Sequence, residues 1–251
     1  IKDNAIWADG NIEISGGSQV KASSEEDAAI DGKNSLTVTN ASLNASGVGY
    51  GIYVYKGITL DGATVTVRAS SDGGEASALF TDEDDIVIKN GSTVDALAEG
   101  RFSVAISTSN FYSDEAGGHI YISDSVVKAI ARYAETGGDG PAHYSGDQND
   151  EITAAIFALA MSADGKAIGT IEIKDATIQT PAGGKVIDYR NKEELSDGIV
   201  YEAGQTIGTG DTTIDSPYNE AVAKSTVIMP PEEIKPEEKP GETKPEGSKS
   251  E

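Results

Sequence analysis

The chain has 251 residues, of which 37% are hydrophobic, with one tryptophan, four phenylalanines and no cysteine. It lacks the large apolar side chains of a thick two-layer core and any disulfide staple. Its formal net charge of −23 and pI near 4.3 set it against nucleic-acid phosphates, anionic lipid surfaces and polyuronate chains, and leave neutral glycans, cations and basic protein patches as compatible partners.

From the N-terminus onward, one short pattern recurs, and a repeat on this scale is the signature of a solenoid. Copies begin at Ile12, Leu36, Ile58, Ile86, Ile120 and Ile171. Each opens on two aliphatic residues spaced by two: Ile12 and Ile14, Leu36 and Val38, Ile58 and Leu60, Ile86 and Ile88, Ile120 and Ile122, Ile171 and Ile173. That spacing places both on one face of a strand. Two places on stands Gly16, Asn40, Gly62, Asn90, Asp124 or Asp175, the residue types that accept a left-handed backbone, so this column reads as a turn of fixed geometry. A small residue follows: Gly17, Ala41, Ala63, Gly91, Ser125 or Ala176. A second alternating strand then carries inward residues such as Leu43 and Ile178. The copies at Ile12 and Ile86 hold one extra residue at the corner.

A third strand recurs between copies. It is seen at Ala28–Ile30, Gly51–Val54, Ala78–Phe80, Val104–Ile106, Ala155–Ala158 and Val186–Tyr189. Three strands per coil with turns between them predict an all-β, single-stranded parallel β-helix. The copies lie 22 to 51 residues apart, so the longer coils carry insertions, the largest over Arg132 to Glu151. Insertions in repeat folds gather on one side and often bear function. The apolar run Ile152 to Met161 falls where a third strand is due and is read as strand. Ile199 to Tyr201 reads as a last strand and Ile207 to Met229 as a cap over the open end. From Pro230 the chain is Pro, Glu, Lys, Gly and Ser, a composition that buries too little to fold and extends as a spacer. The expected division is therefore 1–229 as β-helix with cap and 230–251 as a disordered spacer. The chain opens on Ile1, reads as a fragment or processed form, and has no apolar run of membrane-spanning length; any anchor is expected outside these residues.

With its units Ser35–Gly47 and Gly57–Ser70, the repeat resembles the pectate-lyase-like parallel β-helices of bacterial surface proteins, and is most similar to the adhesin-like, carbohydrate-binding-domain-labelled proteins of gut Firmicutes. The resemblance spans roughly residues 5 to 200. It implies a right-handed helix, an extracellular position with attachment to the cell wall through sequence beyond the C-terminus, and a glycan or host cell-surface protein as partner, with no nucleic acid and no direct membrane insertion. Such folds also host polysaccharide lyases and hydrolases. The arginines Arg68, Arg101, Arg132 and Arg190 form no lyase motif, and no clustered aspartate motif of a hydrolase is present. Asp61, Asp124 and Asp175 fall in nearly the same column, where their neighbours are Gly and Asn, so turn geometry is the simpler cause. His119 and His143 are not at metal-ligand spacing. The expectation is a non-enzymatic module, with a polysaccharide-active enzyme and a purely structural stalk as the alternatives.

Two acidic clusters offer oxygen ligands of the kind calcium takes. One is Asp82, Glu83, Asp84 and Asp85. The other is Asp139, Asp147, Asp150 and Glu151, where Gly137, Gly138 and Gly140 would let the insert wrap an ion. Each also reads as a solvated acidic turn. Exposed rings are the features suited to sugars. Tyr53 and Tyr55 flank Val54 and point away from Ile52 and Val54, while Phe111, Tyr112, Tyr121, Tyr133 and Tyr144 lie in or beside the insertions. These rings either bind a ligand or cover coil faces and pin the insertions down.

Overall fold

The computed structural model describes residues 2–72, 74–100, 102–110, 117–133, 153–160, 171–181, 185–188, 199–202, 212–215 and 220–224. Among these there is no helix, and the strands fall into three sheets. The first sheet contains β1 (Ile6–Ala8), β4 (Ile30–Gly32), β7 (Tyr50–Val54), β10 (Glu75–Thr81), β13 (Phe102–Asn110), β16 (Thr153–Ala160), β19 (Lys185–Asp188) and β20 (Ile199–Glu202). The second contains β2 (Ile12–Ser15), β5 (Leu36–Thr39), β8 (Ile58–Asp61), β11 (Ile86–Lys89), β14 (Ile120–Ser123) and β17 (Ile171–Lys174). The third contains β3 (Gln19–Ser23), β6 (Ser42–Val48), β9 (Thr64–Ser70), β12 (Thr93–Gly100), β15 (Val126–Tyr133), β18 (Thr177–Pro181), β22 (Glu220–Lys224) and β21 (Thr212–Asp215).

Through β19, each strand pairs in parallel with the strand three places later, which is the connectivity of a parallel β-helix. The pairing turns antiparallel at the C-terminal end, where β20 joins β19, β22 joins β18 and β21 joins β22. The strand expected at Ile199 to Tyr201 thus exists, but it reverses direction and does not begin another parallel coil.

The aliphatic columns meet in register. Ile88 pairs with Leu60 on one side and Ile122 on the other, and all three are buried. Ile58, Ile86 and Ile120 repeat this one column over. Each such side chain removed from water contributes roughly 1.5–3 kcal/mol, and the stack of thin layers makes one continuous core.

The turn column behaves as its residue types dictate. All six members have positive φ: Gly16 (69°), Asn40 (47°), Gly62 (59°), Asn90 (56°), Asp124 (46°) and Asp175 (49°). The following column needs one correction. Gly17 and Gly91 are the extra residues, themselves left-handed (φ 74° and 79°). The small-residue place in those two coils belongs to Ser18 and Ser92, each directly before the strand that pairs with its neighbours. Ser92 is fully buried, donates to the carbonyl of Lys89 (2.7 Å) and accepts the Ala63 N–H (3.1 Å).

The strands of the first sheet bend once per coil. Ala29 and Ile30, Gly51 and Ile52, Ala78 and Leu79, Ala105 and Ile106, and Ala155 and Ile156 are consecutive yet buried. A straight strand sends neighbours to opposite faces, so the chain turns between them, and the pairing skips Gly51 and Ala78 between Tyr50–Ser77 and Ile52–Leu79 without a change of register. The bend admits only small residues: a Cβ on Gly51 would lie 2.3 Å from Val67 Cγ1.

Candidate functional site

The bend decides what the outer face of the first sheet displays. Tyr50 and Tyr53 are three residues apart and would face opposite ways on a regular strand. Turning at Gly51 brings both rings outside, with centroids 5.3 Å apart. Phe80 occupies the same place one coil later, in register with Tyr53. Its ring stacks on Tyr53 (5.4 Å, 12° between planes) and is tilted against Tyr50 (5.2 Å, 48°). All three rings remain partly open to solvent, and Tyr55, at the corner beyond, is 41% exposed. Aromatic pairs at these distances favour each other by about 0.5–1.5 kcal/mol beyond area burial, so the cluster is an ordered surface.

Carboxylates ring the cluster. The Tyr53 hydroxyl donates to Asp82 (3.4 Å), Tyr50 hydrogen-bonds Glu75, and Tyr55 hydrogen-bonds Glu83. Asp31 stands in register with Tyr53 on the preceding coil and accepts from Asn4 Nδ2 (3.1 Å). Burial, then the neighbouring Asp82 charge, pushes the Tyr53 phenol up to about 12. Burial and Glu75 push Tyr50 up as well. Burial also raises the Asp31 and Asp82 carboxyls above their ordinary value. Trp7, 53% exposed, stands in register with Asp31, and the Lys33 ammonium lies 5.3 Å from its ring.

The acidic run of the next turn does not converge. Asp82 takes the Tyr53 hydroxyl, Glu83 pairs with Lys56 (2.7 Å), Asp84 accepts the Asp85 N–H (2.9 Å) and Asp85 accepts the His119 N–H (2.9 Å). Among the described residues no three carboxylate or imidazole groups gather into a cation site. Tyr121 lies elsewhere, on the outer face of the second sheet between Val87 and Glu172, with the His119 ring 6.1 Å away. Arg68 is held on the third sheet by the Asp95 carboxylate (3.0 Å) and carbonyl (2.8 Å). Phe111, Tyr112, Tyr144, Asp139, Asp147, Asp150 and Glu151 lie outside the described residues, as does the 230–251 segment; Tyr133 ends β15, and its side chain is outside them too.

The structure therefore brings Tyr53 and Tyr55 together with three residues that sequence reasoning did not single out: Tyr50, Phe80 and Glu75. Phe80 was open to discovery, because the third-strand column places it level with Tyr53. Tyr50 was not, because strict alternation sends it inward with Ile52 and Val54. A separate shallow groove of about 520 Å³ lies on the third sheet, lined by polar side chains including Gln19, Lys21, Asn44, Thr64 and Thr66. Comparison of the chain with protein-family models, with curated proteins and with solved structures finds no match.

Proposed function

We propose that this chain is a non-enzymatic, exported surface module of adhesin type that binds a glycan of a cell surface through the outer face of the first sheet. The observation that carries the reading is the ordered, solvent-facing cluster of Tyr50, Tyr53 and Phe80 beside hydrogen-bonding carboxylates. Apolar C–H faces of sugars pack on such rings, and a few fixed polar groups orient the hydroxyls. The net charge favours a ligand that is not anionic. The Pro/Glu/Lys-rich stretch from Pro230 suits a spacer that holds the solenoid away from a wall or membrane.

The test is calorimetric titration with ligands chosen from a glycan array, on the wild type and on Tyr53→Ala with Phe80→Ala. Affinity is expected to fall at least tenfold while the cooperative melt is kept, a loss of about 1.4 kcal/mol. Unchanged affinity in a folded double variant would remove this face from the function. Release of new reducing ends from a polysaccharide would favour the enzyme reading. Failure to retain any glycan would leave the stalk.

A further inference from the structure

We propose that the same face selects a cationic amino-sugar oligosaccharide over its neutral acetylated counterpart, an inference that rests on the glycan-binding reading above. Three observations converge. First, the charged groups nearest the Tyr50 and Tyr53 rings are carboxylates: Glu75 on Tyr50, Asp82 on Tyr53, and Asp31 one coil before, while Lys33, whose charge reaches Asp31, is itself paired with Asp9. Second, among the described residues none of these three carboxylates belongs to an ion pair, whereas Glu83, Asp9, Glu26, Asp61 and Asp95 each do. Third, ring surface adjoining a carboxylate is the combination that suits an ammonium group on an otherwise C–H-lined ring, through cation–π attraction and a charge-assisted hydrogen bond together.

The geometry also gives the ligand a direction. Asp31 lies two coils before Glu75 and Asp82, which share a coil, and the coil between them carries Tyr50 and Tyr53; parallel strands are spaced about 4.8 Å apart. Asp31, Asp82 and the rings between them follow the solenoid axis, since Asp31 pairs with Tyr53 and Tyr53 with Phe80. An oligosaccharide laid along that axis meets a negative charge at each end of the aromatic cluster. An amine on one sugar alone would use only one of them, so affinity should grow with the number of deacetylated units.

The experiment titrates the whole 251-residue chain with a glucosamine hexamer and an N-acetylglucosamine hexamer, at low and at raised salt, with the amino groups protonated. The glucosamine hexamer is expected to bind at least tenfold more tightly, with the preference shrinking as salt is added. The variant Glu75→Gln with Asp82→Asn, which keeps shape and hydrogen-bonding capacity, should lose the preference and retain what binding the acetylated hexamer shows. Tyr53→Ala with Phe80→Ala should weaken both hexamers. Equal affinity of the two hexamers for the wild type overturns the selectivity and leaves glycan binding standing. Binding of neither hexamer, with no other glycan retained, overturns the glycan reading itself. Competition by oligolysine at equal charge, undiminished in the ring variant, overturns the proposal by showing that charge alone suffices.

Discussion

Two corners of each coil obey different rules. The corner between the second and third sheets is nearly the same in all six copies: a left-handed residue, followed in two copies by a left-handed glycine, then a small residue that is buried in every copy but the first, where Ser18 is exposed. The corner between the first and second sheets differs each time. It is Lys33–Ser35, then Tyr55–Gly57, then Asp82–Asp85, then the longer segment ending at His119. Stacking explains the contrast. At the invariant corner the backbone bonds coil to coil, Asn40 N–H to the Asp61 carbonyl, Gly62 N–H to that of Lys89 and Asp124 N–H to that of Lys174. Every layer must therefore copy the last. The variable corner also bonds across coils, as in Glu83 N–H to the Tyr55 carbonyl, but there side chains such as Thr81, which reaches Lys56 one coil back and Asp84 in its own turn, help hold loops that differ in length and charge. The solenoid holds one edge constant and lets the other vary.

The sharpest test of this contrast lies in the layers behind the invariant corner. Leu60→Ala removes a fully buried side chain flanked in register by Val38 and Ile88. Denaturant unfolding should show a loss of about 2–5 kcal/mol. A loss below ~1 kcal/mol would mean that the coils are not packed as tight layers.

The turn itself comes next and should show opposite signs at one position. Asp124 has φ 46° and an exposed side chain. Asp124→Val forces a β-branched residue into the left-handed region and should cost about 1–2 kcal/mol. Asp124→Gly relieves that region and should be neutral or stabilising by up to ~1 kcal/mol. If both variants lose stability equally, the aspartate side chain and not its backbone conformation is what the column requires.

At the variable corner a single hydroxyl adds to the coil-to-coil backbone bonds. Thr81, fully buried, donates to the carbonyls of Lys56 (2.6 Å) or Asp84 (3.1 Å). Thr81→Val keeps the shape and should cost about 1 kcal/mol, with the loss confined to the Tyr55–Gly57 and Asp82–Asp85 loops in hydrogen exchange. A loss of protection spread through β8 and β11 would show that this corner, too, is part of the assembly edge.

The invariant corner was legible in the sequence because one residue type per place suffices to specify it. Glycine, asparagine and aspartate share a single physical property there, and six copies average out the noise. The aromatic face was legible only in part. Tyr53 and Phe80 follow from alternation plus the repeat. Tyr50 depends on a bend whose only mark is Gly51 standing where other coils have Ala29, Ala78, Ala105 and Ala155, and small residues in a strand do not declare that they face inward beside an inward neighbour. The slip at Gly17 and Gly91 has the same origin: a glycine fits both a left-handed position and a small one, and only register separates the two.

The smallest effect expected is electrostatic and concerns the variable corner and the first-sheet strand that leads into it. Asp31, Asp82 and Asp85 all have carboxyls raised above the ordinary value, first by burial. A carboxyl raised on folding favours the native state while protonated, so its contribution is complete below the unfolded pKa of about 3.9 and is lost as pH rises through the folded value. Cooling of the self-repulsion of a −23 chain acts in the same direction as pH falls, so the wild-type melting curve alone would not separate the two. Asp82→Asn does. Its side-chain oxygen can still accept the Tyr53 hydroxyl, and its neutral group escapes the penalty of burying a charge. The variant should melt slightly higher than wild type at pH 7, and the gap should close as pH approaches the ordinary carboxylate range. A gap that is absent at pH 7, or that widens on acidification, would mean that Asp82 is better solvated or better paired than its place between Tyr53 and Glu83 implies, and would weaken the case for uncompensated charge beside the rings.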